Sequence, residues 1–151
     1  MTTDNSETKY QPQNLTLRGA EHVERYRATD GAEGHIWNGA TCLLLTTTGR
    51  KSGEPRETPL IYAQDGDDLV VIASKGGAPK APNWYENLVV DPEVTIQILA
   101  ERFPARAHEV DGEEYSRLWD LAAASWPNYN VYAQRTNRRI PVVVLRRTRA
   151  H

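Results

Sequence analysis

TTTGRKSGEPRETPLIYAQDGDDLVVIASKGGAPK, from Thr46 to Lys80, joins apolar and β-branched runs through two unlike turns. The run Leu43–Thr48 leads into Gly49–Gly53, a turn that carries Arg50 and Lys51. Thr58–Ala63 leads into Gln64–Asp68, an acidic Asp-Gly turn, and Leu69–Ser74 follows. Such runs, punctuated by turn residues, predict a β-meander. Direction reverses at each turn, so the first turn and the exit of the third strand fall at one end. That end collects Arg50, Lys51, Arg56, Lys75 and Lys80, and the other takes Asp65, Asp67 and Asp68. A formal net charge of only -2 therefore conceals a separation of charge along the strands.

The backbone at the basic end is open. Ser74-Lys75-Gly76-Gly77 follows the third strand directly, and glycines there permit φ > 0 and close approach to a ligand. Peptide N–H groups in such a turn can converge into an anion-binding nest. Past Pro79 and Pro82, Asn83 suits an N-cap for a helix over Trp84–Val90, whose free N–H groups would add to the positive end. A charged hairpin tip alone is usually just solvated. Brought together with the glycine turn and the helix start, it suits a phosphate or several carboxylates. The pattern is not a P-loop, because the glycine that should immediately precede the lysine is missing and no helix follows. No Gly-x-Gly-x-x-Gly follows a strand, so a Rossmann dinucleotide site has no support.

With 151 residues the chain suits one domain, 15–151, behind a disordered tail over residues 1–14. Hydrophobic residues at 39% and charged residues at 25% are ordinary for a soluble globular protein. No apolar run approaches the ~18 residues of a membrane-spanning helix. The polar start has no apolar stretch of the kind a secretory signal needs, so the expectation is cytoplasmic. The single cysteine, Cys42, sits in an apolar strand and reads as a buried, inert thiol.

Around the meander, Leu15–Thr29 can form a helix with Leu15, Ala20, Val23 and Tyr26 on one side, and Gly34–Ala40 reads as a loop with Trp37 packed on the sheet. Glu93–Leu99 alternates, placing Val94, Ile96 and Ile98 on one face, and Arg102–Val110 looks like its hairpin partner. Asp111 and Glu114 have capping-box spacing at the start of a helix that sets Tyr115, Leu118, Ala122 and Trp126 along one side. After Pro127 a further helical stretch places Tyr129 and Tyr132 one turn apart, and IPVVVL, Ile140–Leu145, is a central or barrel-closing strand. About six mostly antiparallel strands with three or four helices predict an α+β, mainly β, small barrel or half-barrel.

The four histidines, His22, His35, His108 and His151, lack metal-ligand spacing. Ser74 is well placed for chemistry but has no histidine to activate it. Tyr129 and Tyr132, with Trp84 and Trp126, can be core or can wall a flat ring and present hydroxyls to it.

The block from Thr46 to Ile98, with WPNYNVYAQRT and IPVVVL downstream, resembles the deazaflavin-dependent nitroreductase and quinone reductase family over about Ala40 to Leu145. The resemblance implies a split β-barrel, similar to FMN-binding barrels, holding the 8-hydroxy-5-deazaflavin coenzyme F-420. That coenzyme carries a phosphate and an oligoglutamate tail, the kind of ligand the basic end suits on its own evidence. By this resemblance Arg50, Lys51 and Arg56 hold phosphate and tail. Ala73, Ser74, Lys75, Gly76 and Gly77 line the ring and phosphate, Trp84 and Asn87 complete the wall, and Tyr62 stands at its edge. Tyr129 and Tyr132 cover the ring on the substrate side. The first forty residues match least, and relatives use them at the substrate entrance.

The expectation is hydride transfer from the reduced deazaflavin to a quinone or nitro-compound, with Tyr129 and Ser74 as hydrogen-bond donors beside Tyr132 and no metal. A neutral tyrosine, with an ordinary pKa of about 10, can donate at pH 7. Alternatives are an FMN-dependent oxidoreductase on the same barrel and a non-catalytic deazaflavin binder. A nucleic-acid module should show a basic stripe with stacking aromatics, which a chain of pI about 6.1 with its charge at one end does not.

Overall fold

The computed structural model of the protein describes residues 19–148. The expected 1–14 tail, and residues 15–18 of the expected first helix, lie outside them. The described helices are α1 (Gly19–Ala28), α2 (Asn83–Val90), α3 (Gly112–Ser125) and α4 (Asn128–Gln134). The strands are β1 (Ile36–Trp37), β2 (Ala40–Thr48), β3 (Pro55–Ile61), β4 (Ala63–Asp65), β5 (Asp68–Ile72), β6 (Glu93–Ile98), β7 (Glu101–Glu109) and β8 (Val142–Arg147). No described helix is long and apolar enough to cross a membrane.

The sheet is antiparallel throughout and runs β1-β2-β6-β7-β8-β5-β4, with β3 also on β2. IPVVVL supplies β8, which lies between β7 and β5 as a central strand. The departure from a simple meander comes at Tyr62. Before it, β3 pairs with β2 from Thr48↔Pro55 to Cys42↔Ile61. After it, β4 pairs with β5 from Ala63↔Val70 to Asp65↔Asp68. The expected single strand Thr58–Ala63 is thus divided between the two ends of the sheet, and one residue of chain joins those ends. Between β3 and β5 no ladder runs, and this opening makes the barrel a split one. Pro55 and Pro59 fit β3 to such a place, since proline cannot donate to a ladder and is confined to edges.

Alternation sorts the core into two layers. Leu43, Leu45, Leu69, Val71, Val94, Ile96, Phe103, Ala105, Val143 and Leu145 fill the inside of the curl, where Trp84 and Leu88 of α2 join them. Val70, Ile72, Val142 and Val144 face the other way and pack on Leu118, Ala122, Trp126, Tyr129 and Tyr132 of the α3–α4 segment. Both faces of β5 and β8 are therefore covered, which is why these strands read as unbroken apolar runs.

Several local expectations are corrected. The segment expected as a loop with Trp37 forms β1, turned by Asn38 and Gly39 at φ 52° and 84°, the left-handed pair of a tight hairpin turn. On α1 the buried residues are His22 and Tyr26, with Ala20 exposed. Asn83 is the first residue of α2, not its cap; Pro82 holds that position. Asp111 does precede α3 but makes no capping bond with its side chain, and Glu114 turns instead to Arg117 at 2.8 Å.

Candidate active site

Two clefts of unlike chemistry open along the split and share Thr58 and Trp84. The larger, about 830 Å³, lies beneath α1 and is bordered by Arg27, Arg50, Lys51, Arg56 and Asn87. The smaller, about 380 Å³, lies between β3 and the end of β5. Ser74, Lys75, Trp84, Trp126, Tyr129 and Tyr132 wall it, with His22 and Trp37 from the N-terminal segment.

The basic end is real, but its cations are not equivalent. The Arg50 side chain donates to Asn87 Oδ1 at 2.7 Å and pairs with Glu86 at 2.8 Å. Its backbone N–H also reaches Asn87 Oδ1, at 3.2 Å, and the Asn87 amide donates to Thr47 Oγ1 at 3.2 Å. Arg50 and Asn87 thus lock the β2–β3 hairpin onto α2. Arg27 is paired with Glu57. Lys51 and Arg56 have no carboxylate partner among the described residues, and Arg56 makes only a 3.4 Å contact to Ser52 Oγ. Of the three cations expected at the phosphate and tail, Arg50 is thus engaged by Asn87 and Glu86, while Lys51 and Arg56 meet no carboxylate among the described residues. At the opposite end, Asp65 and Asp68 are held by Arg117 and Arg146.

The segment after β5 forms a 3-10 turn at Lys75–Gly77, with Lys75 at φ 47°. Ser74, buried, and Lys75, exposed, line the smaller cleft, whereas Tyr62, Ala73 and Gly77 line neither. Ala73 belongs to the core inside the curl, and Tyr62 packs against it at the joint between β3 and β4. Gly77 has φ 84°, and a Cβ there would lie 2.7 Å from the Tyr132 carbonyl oxygen. The close approach that this glycine permits is to the backbone of α4.

On the facing wall, Tyr129 and Tyr132 lie edge to face with ring centroids 6.1 Å apart. Trp126 Nε1–H donates to the Tyr132 hydroxyl at 3.3 Å. Among the described residues the Tyr129 hydroxyl meets no hydrogen-bond partner. Burial drives its pKa well above the ordinary tyrosine value, with Cys42 and Tyr132 adding to the shift. It is therefore a neutral hydroxyl on a residue that lines the smaller cleft. Cys42 lines the same cleft, and burial pushes its thiol up to about 12, so it is protonated and inert.

The chain matches the family model described as F-420H(2)-dependent quinone reductase over residues 18–147. The chain belongs to this family. An F-420H(2)-dependent quinone reductase of Mycobacterium tuberculosis is 46% identical to it over 133 residues, covering 83% of this chain and 87% of the relative. Among solved structures, the F-420-H2 dependent reductase FDR-A is 40% identical with a TM-score of 0.65, covering 69% of this chain and 92% of its own. A structure described as a domain-swapped dimer is 38% identical with a TM-score of 0.67, covering 83% and 94%. The split barrel of this quinone reductase family member is thus shared with its solved relatives.

Sequence reasoning missed His22 and Trp37 as aromatic walls of the smaller cleft. His22 stacks on Trp37 at 6.4 Å, and Trp37 lies 5.8 Å from Trp126. Only the Asn38-Gly39 turn signalled that Trp37 would be folded back over the sheet. His22 carried no signal, because its inward position depends on its bond to the Gly34 carbonyl at 2.8 Å, twelve residues away.

Proposed function

We infer that the protein reduces quinones with the reduced deazaflavin coenzyme F-420. The observation that carries this reading is the junction of a cationic cleft and an aromatic cleft at Thr58 and Trp84. A coenzyme with a flat ring at one end and a phosphate and acidic tail at the other fits that pair. FMN, with a single phosphate, would leave most of the larger cleft without a purpose. When bound, the reduced coenzyme supplies the hydride that a quinone takes up with a proton to become a hydroquinone.

The chain's own residues bind, orient and exclude water. Lys51 and Arg56 attract the tail and phosphate, while Arg50 and Asn87 frame their cleft. Ser74 and Trp84 would hold the ring, and Tyr129 and Tyr132 would close the opposite side with His22, Trp37 and Trp126, all of which line the smaller cleft. The Tyr129 hydroxyl donates to the acceptor oxygen that gains charge, and its burial makes that bond worth more than it would be in water. Ser74 is the second donor and Tyr132, held by Trp126, the neighbouring one. Nitro-compounds enter the same proposal as second acceptors, since aromatic walls select a flat ring before they select its oxygens.

The test is an anaerobic mixture of the protein, reduced deazaflavin coenzyme and a soluble quinone, followed by coenzyme absorbance. Oxidation well above the uncatalysed rate is expected, and a rate equal to that background refutes the reading.

A further inference from the structure

Arg138 lies between α4 and β8, more than sixty residues from anything proposed to touch the coenzyme's phosphate. Among the described residues no carboxylate partners it. Its guanidinium is given over to main-chain carbonyls of one loop. Nε donates to Ala78 O at 2.8 Å, Nη2 to Ser74 O at 2.7 Å, and both terminal nitrogens to Ala73 O at 3.3 Å. Arg138 lines neither cleft; it borders a separate groove with Tyr115 and Trp119.

The loop it grips has little to hold its own shape. Past β5 its internal bonds are Gly77 N–H to Ser74 O at 2.9 Å and Ala78 N–H to Lys75 O at 3.1 Å. Lys75 sits in the left-handed region at φ 47°, which costs a non-glycine residue energy and persists only where surroundings enforce it. In a trans peptide the C=O and N–H point in opposite directions. With the Ala73 and Ser74 carbonyls drawn to Arg138, the N–H groups of Ser74 and Lys75 must point away from it. Ser74 and Lys75 are the two loop residues that line the smaller cleft, and neither N–H meets an acceptor among the described residues.

We propose that Arg138 is a positioning residue for coenzyme binding: it turns the carbonyls of Ala73 and Ser74 backward so that two backbone N–H groups are presented to an anionic or carbonyl oxygen of the coenzyme. This rests on the assignment of Ser74 and Lys75 to the coenzyme site. Arg138 also belongs to the segment that carries Tyr129 and Tyr132, so one side chain keys the coenzyme cradle to the acceptor wall. A lysine cannot replace it, because one ammonium does not span three carbonyls in a plane as the guanidinium fork does.

The test compares wild type, Arg138→Ala and Arg138→Lys by quenching of deazaflavin coenzyme fluorescence and by amide exchange of residues 74–78 with and without coenzyme. Arg138→Ala should raise the coenzyme Kd by about tenfold or more, as misplacement of a binding group does, with KM for quinone changed less than twofold. Arg138→Lys should recover only part of the loss. Guanidinium chloride at about 20 mM should tighten binding to Arg138→Ala, where sodium chloride of equal strength does not. A coenzyme Kd within about twofold of wild type in either variant that folds overturns the proposal, even if melting temperature falls. Coenzyme protection at residues 74–78 of the wild type, together with that result, leaves the site assignment standing. Absence of such protection removes the site assignment and the proposal with it.

Discussion

The Tyr129 hydroxyl is buried, and burial holds its pKa above its ordinary value, so it is protonated at neutral pH. A donor role belongs to the transition state, and Tyr129→Phe, which keeps the ring against Trp119 and Tyr132, should leave coenzyme affinity almost unchanged. Turnover should fall roughly 10- to 100-fold, about 1.4–3 kcal/mol. Wild-type turnover in the Phe variant, with Ala damaging stability and binding, would leave Tyr129 a packing role only. Cys42 and Tyr26 carry the same physics into stability. Burial raises Cys42 from 9.0 to about 12 and Tyr26 from 10.0 to about 12, and the Tyr26 hydroxyl donates to Cys42 O at 3.0 Å. Groups raised in the fold favour it fully below their unfolded values, and that contribution is lost as pH climbs towards 12. The melting temperature should therefore fall between pH 9 and 12, and the fall should be shallower in Cys42→Ala and Tyr26→Phe. Equal slopes in all three proteins would show that these two groups do not drive it.

Where strands and helices meet, charge and glycine acquire distinct duties. Arg50 joins the β2–β3 turn to α2 through Asn87 and Glu86, and its loss should lower the melting temperature. Lys51→Glu combined with Arg56→Glu should leave stability near wild type and weaken coenzyme binding by about 2 kcal/mol, a gap that added salt narrows. Unchanged affinity in that double variant would show the turn to be a solvated tip. Gly77→Ala places a methyl against the α4 backbone at a positive φ, so it should cost about 1–3 kcal/mol of stability and weaken binding as well. A variant that melts like wild type would show that α4 can yield there. The hairpin and its charges were legible because turn chemistry and strand alternation are local. The division of labour was not, since Arg50 meets Asn87 thirty-seven residues away, and Arg138 lies in a run of arginines that looks like any solvated stretch.

At the scale of the molecule, the β-rich split barrel was legible from hairpin spacing and the apolar runs of β5 and β8. The split itself was not. It arises because β3 and β4 are one stretch of chain serving the two ends of the sheet, and no residue pattern at Tyr62 announces that. The smaller cleft exists only because β3 and β5 part company there, so its far wall is drawn from α1, β1 and α4, segments distant in sequence. A chain ended at Arg139 would keep the proposed coenzyme and acceptor contacts from Arg50 to Tyr132 and also Arg138, yet lose β8. It should bind no coenzyme and show no cooperative melting; quenching of deazaflavin fluorescence by that fragment would contradict this.

The pairing of β8 with β5 joins Leu69 to Leu145 and Ile72 to Val142, whereas β2–β3 and β6–β7 are hairpins that can close as soon as they are made. Loop-closure entropy makes such distant pairings the slow ones in folding. The basic β2–β3 turn can therefore form while β5 still lacks the strand that braces it. The residues proposed to bind the anion are thus set in a closed hairpin before there is a pocket to put them in, and a form able to take up coenzyme waits on the pairing of β8.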